Sequence, residues 1–482
     1  MNKLYITLII FLMLPVTLYC ADTTDVRRYL EHPGSITPSA VVAEVGPISI
    51  TAEEFINSYE FGPAFYKRDK DSRRKFLDFL VYEKLLALEA YDRHLDTARD
   101  VRDLLYEIEA DLAGEQLYRN EILNTVTVGQ DEIDRSIADE MIELKFRWLY
   151  AETEEQVSNY TEQIKNIRAF DSLFNVQNPD FTGRNERMLN LTLRELKKNP
   201  RAAEVVAYLS KNEISKPLKG DDGWYLFILD DRMETVLSTQ SETNNMRYSI
   251  YKSLVKAKSD SLSDLYVRNL MDIEQPVISG TAFSEMNDEM WKSFQETDNF
   301  TKVLSSSGLF EQNTKILVRM KSFALTVGDF IQWARLRSTY IRPELKGKQK
   351  FYVSVEAMIW KAVRDRLIIK RAADLKTFDD PYVRKQIRLW RDKVVYQKLK
   401  LQTAAELKQD SSYAFEYTKT IFRKVMKLKN RYKVTIDEKL LDSIKVSDED
   451  NPQSVEMYAV KKGGTFIHQV FPVIDYEWQF WK

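Results

Sequence analysis

Three stretches in the middle of the chain decide the fold: FRWLYAETEEQ (residues 146–156), NEISKPLK (212–219) and GWYLFILD (223–230). The first passes from an alternating apolar stretch, typical of a β-strand, into the charged start of a helix. The third is a short run of large apolar side chains, which also predicts a strand. The sequence therefore predicts a small α+β region that begins and ends with strands.

These stretches resemble the opening and closing segments of the parvulin (PpiC-type) peptidyl-prolyl isomerase domain. That family opens with a strand of the form V-R-H-I-L-V-x-T-E-E-E and closes with G-E-I-S-x-P-V-K, a short loop and G-Y-H-I-I-K-L. The helical sequences on either side look like the chaperone region of SurA and of the related PrsA-type foldases. The resemblance extends over residues 41–275, is weakest at 170–205, and continues less closely over 315–400. It implies a mainly α fold with a smaller α+β domain, in which residues 146–150 and 225–229 are neighbouring antiparallel strands.

The same resemblance implies an order of domains. A SurA-like helical chaperone lobe is interrupted by the parvulin-like domain, and a helix returns to the first lobe before a second, partial lobe begins. The expected divisions are a signal peptide at 1–20, a linker at 21–40, the SurA-like N-terminal helical lobe at 41–140, a degenerate parvulin-like domain at 141–237, the returning helix at 238–275, and a second SurA-like helical lobe with a strand-like C-terminal tail at 276–482.

Two parts of the helical sequence follow the same pattern. TAEE (51–54) has the spacing of a helix capping box after a short strand, and TVGD (326–329) repeats it. A long amphipathic helix is expected after each, at 74–93 and at 354–376. The shared order of strand, capped helix and long helix favours an internal duplication; the alternative is that two unrelated amphipathic helices look alike.

The resemblance also assigns the isomerase pocket, which in parvulins contains two histidines, a methionine and a phenylalanine. The two histidine positions fall on Trp148 and on Tyr225, which is followed by Phe227, and the methionine and phenylalanine positions fall on Lys198 and Ala202. Two interpretations remain open for this degenerate pocket. The aromatic rings fill the space that the histidines left, or they line a groove that still binds apolar peptide.

The three histidines of the chain, His32, His94 and His468, all lie elsewhere. Because no histidine lies between residues 95 and 467, no realignment supplies the missing pair. We therefore expect no catalytic residue and an inactive domain. The alternative is an active peptidyl-prolyl cis-trans isomerase with a non-standard site.

Composition narrows the chemistry further. The chain of 482 residues has 71 Lys and Arg against 73 Asp and Glu, a balance that gives no general attraction for nucleic acid. One cysteine and three histidines exclude a Cys-rich zinc site. No GxGxxG or GxxxxGK[ST] stretch is present to bind phosphates. We expect no cofactor, no metal and no nucleic-acid partner.

The first twenty residues have the pattern of a secretory signal peptide. A basic start is followed by an uncharged apolar run, LYITLIIFLMLPVTL (4–18), which is too short for a membrane span. Cys20, the only cysteine, is a candidate lipidation site, although Thr17 and Tyr19 depart from the bacterial lipoprotein pattern. Cleavage without a lipid is the alternative. We expect a periplasmic or envelope-associated protein, with membrane contact only through a lipid at Cys20.

Two further stretches have a marked pattern. Basic side chains cluster at 384–400 and 423–433, which indicates a solvated helix face, or else a surface for anionic lipid head groups. The stretch IDYEWQFWK (474–482) alternates apolar and polar residues. It predicts a strand that docks on its own domain, or that adds to the sheet of a partner.

Together these features predict an ATP-independent periplasmic chaperone, a holdase or foldase that binds unfolded or extended exported and outer-membrane polypeptides. The outer-membrane assembly machinery is a further expected partner. Besides the active isomerase, the alternative is a lipid-anchored structural adaptor of an envelope assembly complex. The sequence does not separate apolar residues that face a client from those of the core.

Overall fold

The computed structural model describes residues 37–60, 62, 67, 71–237, 239–297, 299–338, 341–407, 413–446, 472, 474–475 and 478. The predicted signal peptide, Cys20, most of the predicted linker, His32 and His468 lie outside these residues. The chain divides into two compact units, unit 1 with residues 1–124 and 262–482 and unit 2 with residues 125–261. As predicted, the described fold is mainly helical with small antiparallel sheets.

Unit 1 contains two long series of helices, each introduced by a β-hairpin. The first series has β1 (Val41–Val45), β2 (Ile48–Thr51), α1 (Ala52–Glu60), α2 (Ser72–Asp92) and α3 (Arg99–Glu121). After unit 2 come the last part of α10 (Gln240–Glu274), β7 (Val277–Ile278), α11 (Gly280–Thr297), α12 (Phe300–Val303), α13 (Ser307–Glu311), β8 (Ile316–Arg319), β9 (Ala324–Thr326), α14 (Val327–Arg337), α15 (Lys348–Asp374), α16 (Pro381–Leu407), α17 (Tyr413–Arg431), β10 (Val434–Ile436) and α18 (Glu438–Ser443).

The two hairpins lead into the same order of elements, as the sequence predicts. Both run from hairpin through a capped helix and a long helix to a short 3₁₀ turn and another long helix. Thr51 accepts the backbone N–H of Glu54 at 3.2 Å, and Thr326 forms a complete capping box with Asp329. Each hairpin has a register shift at the same place, after Val41 in the first copy and after Ile316 in the second. The common origin of the two series stays a prediction.

The turn between the long helices is also the same in both copies. His94 and Lys376 precede the two 3₁₀ turns, and both adopt left-handed backbone with φ of 54° and 57°. The residues after the turns, Ala98 and Asp380, are extended with φ of −61° and −57°. His94 is thus a turn residue, and the same backbone geometry separates α2 from α3 and α15 from α16.

Two hydrophobic cores stabilise unit 1. The first contains the sheet β10-β1-β2, and α16 and α17 pack on α2 and α3 within it. The second contains the sheet β7-β8-β9 and the helices α11, α14 and α15. Burial of this many apolar side chains is the main favourable term for folding.

The divisions of the chain differ from the expected ones. α16, α17 and β10 belong to the first core and not to a separate second lobe at 276–482, because β10 pairs with β1 and the apolar face of α16 packs on α2. Residues 125–140 and 238–261 belong to unit 2 and not to the first lobe. There the side chains of Asp139 and Glu140 pair with Lys197 and Arg194, and Arg194 donates to Ser253 Oγ at 2.6 Å.

The described residues of the C-terminal tail dock on the first core, as predicted. Ile474 and Trp478 are both 2 % exposed, and the Trp478 ring is stacked on Phe79 with centroids 6.3 Å apart. Trp478 Nε1 donates to Glu83 Oε1 at 3.0 Å. These described residues do not form a strand. The tail is attached by side chains and by the backbone N–H of Asp475, which donates to Glu83 Oε1 at 3.0 Å. Tyr476 and Phe480 lie outside the described residues.

Unit 2 is an α+β fold on a four-stranded antiparallel sheet. Its elements are α4 (Gln130–Glu140), β3 (Ile142–Ala151), α5 (Glu154–Gln163), α6 (Ile167–Gln177), α7 (Phe181–Glu186), β4 (Met188–Thr192), α8 (Leu193–Leu196), α9 (Pro200–Val206), β5 (Leu218–Lys219), β6 (Trp224–Glu234) and the first part of α10. The strand order is β4-β3-β6-β5.

The predicted pairing of the two key strands is confirmed. β3 and β6 run antiparallel, with Phe146 opposite Leu229 and Tyr150 opposite Tyr225. One face of the sheet is covered by α8 and α9 and the other by α5 and α6. This arrangement places the predicted pocket residues of β3 and β6 on the face covered by α8 and α9.

Candidate functional site

The predicted parvulin-like pocket lies on a row of aromatic rings in unit 2. Trp148 is opposite Phe227 and Tyr150 is opposite Tyr225, and alternate residues of a strand share one face. The ring centroids of Trp148 and Phe227 are 6.4 Å apart, and those of Tyr225 and Phe227 are 6.2 Å apart. Tyr150 and Tyr225 meet edge to face at 5.5 Å. We call Phe146, Trp148, Tyr150, Tyr225 and Phe227 the aromatic face.

At the two positions where parvulins have histidines, this chain has side chains that do not titrate at neutral pH. Tyr225 Oη donates to Asp222 Oδ1 at 2.7 Å. Burial and this hydrogen bond raise the pKa of Tyr225, so the phenol keeps its proton at neutral pH. The indole of Trp148 is a hydrogen-bond donor that does not titrate there. The aromatic face can therefore contact apolar side chains, but Trp148 and Tyr225 do not reproduce a pair of imidazoles.

The other two predicted pocket residues are separated by the structure. Ala202 on α9 is 9 % exposed and packs in the same core as Phe227. Lys198 lies in the connection between α8 and α9 and is exposed. Asn199 caps α9 by accepting the N–H of Ala202 at 3.3 Å, so Lys198 precedes the helix, and it is not part of this core. Trp148, Tyr225, Phe227 and Ala202 come together, and Lys198 does not join them.

Only part of the basic run at 384–400 is a solvated face: Arg384, Arg388 and Arg391 are exposed. Lys393 is 6 % exposed and pairs with Glu83 at 2.9 Å and with Asp475 at 2.7 Å. Lys400 pairs with Asp475 at 2.6 Å, and Lys398 pairs with Asp100 at 2.5 Å. These ion pairs attach α16 to the first core, because the acidic partners lie on α2, on α3 and in the tail. The run therefore has a structural use that its sequence did not indicate.

A groove in unit 1 was not predicted. It has a volume of about 520 Å³ and lies among α3, the last part of α10 and α15. A Cβ at Gly114 would lie 3.3 Å from Ile368 Cγ2, so the glycine lets α3 and α15 approach closely at this groove. Its lining is mostly apolar with a few charged groups: Ala110, Asp111, Gly114, Glu115, Leu117, Tyr118, Ile122, Ser263, Asp264, Tyr266, Val267, Arg268, Arg364, Asp365, Ile368 and Ile369.

A buried ionic cluster lies beside this groove. Arg337 on α14 is 0 % exposed, and its guanidinium lies over the ring of Trp333 at 5.0 Å. The same guanidinium is shared among three carboxylates. It is 3.4 Å from Glu107, 3.7 Å from Asp111 and 3.7 Å from Asp365. Removing charge from such a cluster is costly, because the remaining groups stay buried.

Asp111 has the fewest partners of the three carboxylates among the described residues. Arg366 pairs with Glu107 at 2.9 Å and Arg364 pairs with Asp365 at 2.7 Å. Asp111 Oδ2 is buried and accepts no hydrogen bond from the residues that the structure describes. Burial raises the pKa of Asp111 to about 8 although Arg337 opposes the shift, and the charges of Asp365 and Glu107 add to it. The groove thus contains a carboxyl group that titrates near neutral pH.

The sequence of α3 contains a signal for this groove, but the apolar stripe on the core-facing side of the helix is more prominent. The periodicity of Val101, Ile108 and Leu112 marks the core face of α3. Asp111 and Gly114 lie on another face of the same helix, where a small residue and a carboxylate interrupt the apolar residues. A helix that is apolar on more than one face is expected to contact more than one neighbour.

The described part of the chain contains no helix that is long and apolar enough to cross a membrane. It also contains no group of three or more His, Cys, Asp or Glu side chains placed to hold a metal ion.

No protein-family model matches this chain, and no curated protein matches it either. Three similar solved structures have TM-scores of 0.21–0.22. One is from work on PEB4 and Cj1289, two SurA-like chaperones of Campylobacter jejuni, at 14 % identity over 48 % of this chain and 97 % of that chain. The second is the peptidylprolyl isomerase PrsA of Bacillus cereus, at 14 % identity over 46 % of this chain and 87 % of that one. The third is the foldase PrsA of Streptococcus pneumoniae, at 10 % identity over 43 % and 85 %. At such TM-scores the likeness carries no functional conclusion.

Proposed function

We propose that this protein is an ATP-independent chaperone that binds unfolded or extended polypeptides in the groove of unit 1. The observation that carries the proposal is the groove itself: about 520 Å³ of open volume with a mostly apolar lining. Pockets of this size hold a few side chains of a bound molecule. An apolar lining with few charges favours exposed apolar side chains over one particular small molecule.

An apolar strip on α15 supports a client longer than the groove. Val353, Ala357 and Trp360 precede Arg364 and Ile368 at the spacing that keeps residues on one face of a helix. Val353 is 62 % exposed and Trp360 is 37 % exposed. An extended polypeptide that occupies the groove can therefore continue along exposed apolar surface on α15.

The α+β domain would be catalytically inactive as an isomerase. Prolyl isomerisation crosses a barrier of about 18–20 kcal/mol, and an isomerase must shape a pocket around the twisted amide. The rings of Trp148, Tyr225 and Phe227 pack on one another, and Lys198 lies outside the pocket that the resemblance assigned. In this proposal the aromatic face serves packing and, at its edge, contact with apolar peptide.

The apolar run at residues 4–18 supports export, and the proposed location is the periplasm or the cell envelope. Exported polypeptides, outer-membrane proteins among them, would be the clients there. A lipid at Cys20 and contact with the outer-membrane assembly machinery belong to the same proposal.

Filling the groove tests the proposed function. Val267 on α10 lines the groove and is half-buried. The change Val267→Trp should weaken binding of an unfolded client about tenfold, because it removes the burial of about one apolar side chain. Suppression of aggregation of a chemically unfolded protein is the measurement. Leu401→Trp, at a position on α16 that is 68 % exposed and outside the groove, is the matched control and should leave activity unchanged. Equal activity of both variants would contradict the proposal.

A further inference from the structure

The charged side chains that line the groove differ in how closely they are paired with opposite charges. Its lining contains four carboxylates, Asp111, Glu115, Asp264 and Asp365, and two guanidiniums, Arg268 and Arg364. Glu115 pairs with Arg119 at 2.8 Å and Asp365 pairs with Arg364 at 2.7 Å. Asp111 pairs with Arg337 at 3.7 Å, and it shares this guanidinium with two other carboxylates. The groove therefore favours a cationic group near Asp111 over an anionic one.

The geometry of Asp111 sharpens this preference. One oxygen, Oδ1, faces Arg337, and the other, Oδ2, accepts no hydrogen bond from the described residues. A buried carboxylate oxygen without a donor is costly, and a charge-assisted hydrogen bond to it is stronger than a neutral one. A donor that enters through the groove would give Asp111 the second cation that Glu107 and Asp365 already have.

We propose that the groove selects extended polypeptide segments in which a lysine or arginine follows or precedes apolar residues, and that the basic side chain donates to Asp111 while its apolar neighbours contact Val267 and Ile368. This inference rests on the proposed function and names its client class. An apolar lining around one buried acceptor explains both parts of the selected segment. A purely apolar ligand would leave Asp111 Oδ2 without a donor, and an acidic one would be repelled.

Binding of a basic side chain in the groove is linked to the protonation of Asp111, because charged groups surround this carboxyl. Every packed element contributes charged or titratable groups: Glu107 and Glu115 on α3, Asp264, Tyr266 and Arg268 on α10, Arg337 on α14, and Arg364, Asp365 and Arg366 on α15. In the empty groove burial holds the pKa of Asp111 at about 8, and a docked ammonium lowers it. A segment with a basic side chain therefore releases a proton when it binds below pH 8, and its affinity rises with pH up to that value.

Two matched peptides test the inference on the full chain. One is a short fluorescent peptide of small polar and leucine residues with a central lysine, and the other has norleucine in place of that lysine. Fluorescence anisotropy should show that the lysine peptide binds about tenfold more tightly at pH 8, the value expected for one charge-assisted hydrogen bond to a buried carboxylate. Between pH 6 and pH 8 its affinity should rise about fivefold or more, while that of the norleucine peptide stays level.

Asp111→Asn keeps the shape of the side chain and removes its charge. In this variant both peptides should bind equally and without pH dependence, and binding of the norleucine peptide shows that the groove is intact. Asp264→Asn, a change of an exposed carboxylate in the same groove, is the control and should keep the lysine preference.

The two proposals fail in different ways. A wild-type protein that binds both peptides equally, or an Asp111→Asn variant that keeps the preference, overturns the client class and leaves the chaperone groove standing. A wild-type protein that binds neither peptide, or a Val267→Trp variant that binds both as the wild type does, overturns the groove as the client site.

Discussion

The aromatic face of unit 2 and the groove of unit 1 differ in how completely their side chains are partnered. On the aromatic face, rings contact rings at 5.5–6.4 Å, and the Tyr225 hydroxyl has Asp222 as its acceptor. In the groove, apolar side chains surround open volume, and Asp111 Oδ2 lacks a donor in the described chain. Groups that satisfy one another stabilise a fold, whereas groups that remain unsatisfied are available to a ligand.

The largest expected effect separates the two regions by stability. Phe227→Ala removes a ring that is 6 % exposed and has neighbouring rings on several sides, so it should lower the free energy of unfolding of unit 2 by ~3–4 kcal/mol. Val267→Ala in the groove should cost less than ~1 kcal/mol, because its side chain already faces open volume. Hydrogen exchange of β3 and β6, and of α10, measures both. Similar costs for both variants would remove the distinction.

A smaller effect concerns the pH dependence of stability. In the folded chain the pKa of Asp111 is about 8, above its unfolded value of ~3.9, so the folded state binds the proton more tightly. Stability from this group is present below the unfolded pKa and is lost as pH rises towards 8. Asp111→Asn has no such loss, so its stability relative to the wild type should rise between pH 4 and pH 8, with a slope of up to ~1.4 kcal/mol per pH unit.

Urea unfolding across this pH range gives the comparison. The change also removes the 3.7 Å approach to Arg337, so the two proteins need not be equal at pH 4, and the slope is the quantity that decides. Parallel pH profiles would mean that Asp111 is not a buried titrating group. Asp264→Asn, which changes an exposed carboxylate, should follow the wild-type profile.

The smallest expected effect is on isomerase activity. The double variant Trp148→His, Tyr225→His restores the residue types that parvulins have, yet it should not accelerate cis–trans exchange of an X–Pro peptide. Lys198 remains outside the pocket and Ala202 leaves its apolar wall short. Exchange spectroscopy on a proline peptide measures the rate, with the wild type as control. Turnover like that of an ordinary parvulin, in either protein, would contradict an inactive domain.

Local signals in the sequence were sufficient for several of the strands and helices. The alternating stretch at 146–150 and the apolar run at 225–229 predicted the strands β3 and β6 from adjacent residues, and the parvulin resemblance predicted that they pair. The capping spacing at 51–54 and 326–329 likewise predicted where α1 and α14 begin. The 3₁₀ turns at His94 and Lys376 had no comparable signal, since neither residue is a glycine.

The candidate sites were predicted less completely. The resemblance brought Trp148, Tyr225, Phe227 and Ala202 to one core, but it placed Lys198 there as well, because counting residues across the connection before α9 ignores the cap at Asn199. The groove was missed. Its walls come from helices that are far apart in the chain, and single-helix periodicity does not show which faces meet.

The sequence by itself determined the helical content, the strand pair, the order of elements in both series and the absence of a histidine pair, since each depends on residue type and near neighbours. Only the tertiary structure decided that α16 completes the first core, that its lysines are paired, and that Asp111 borders open volume with one oxygen unpartnered. These depend on packing between distant segments, where the burial and the partner of a charge are set by residues far along the chain.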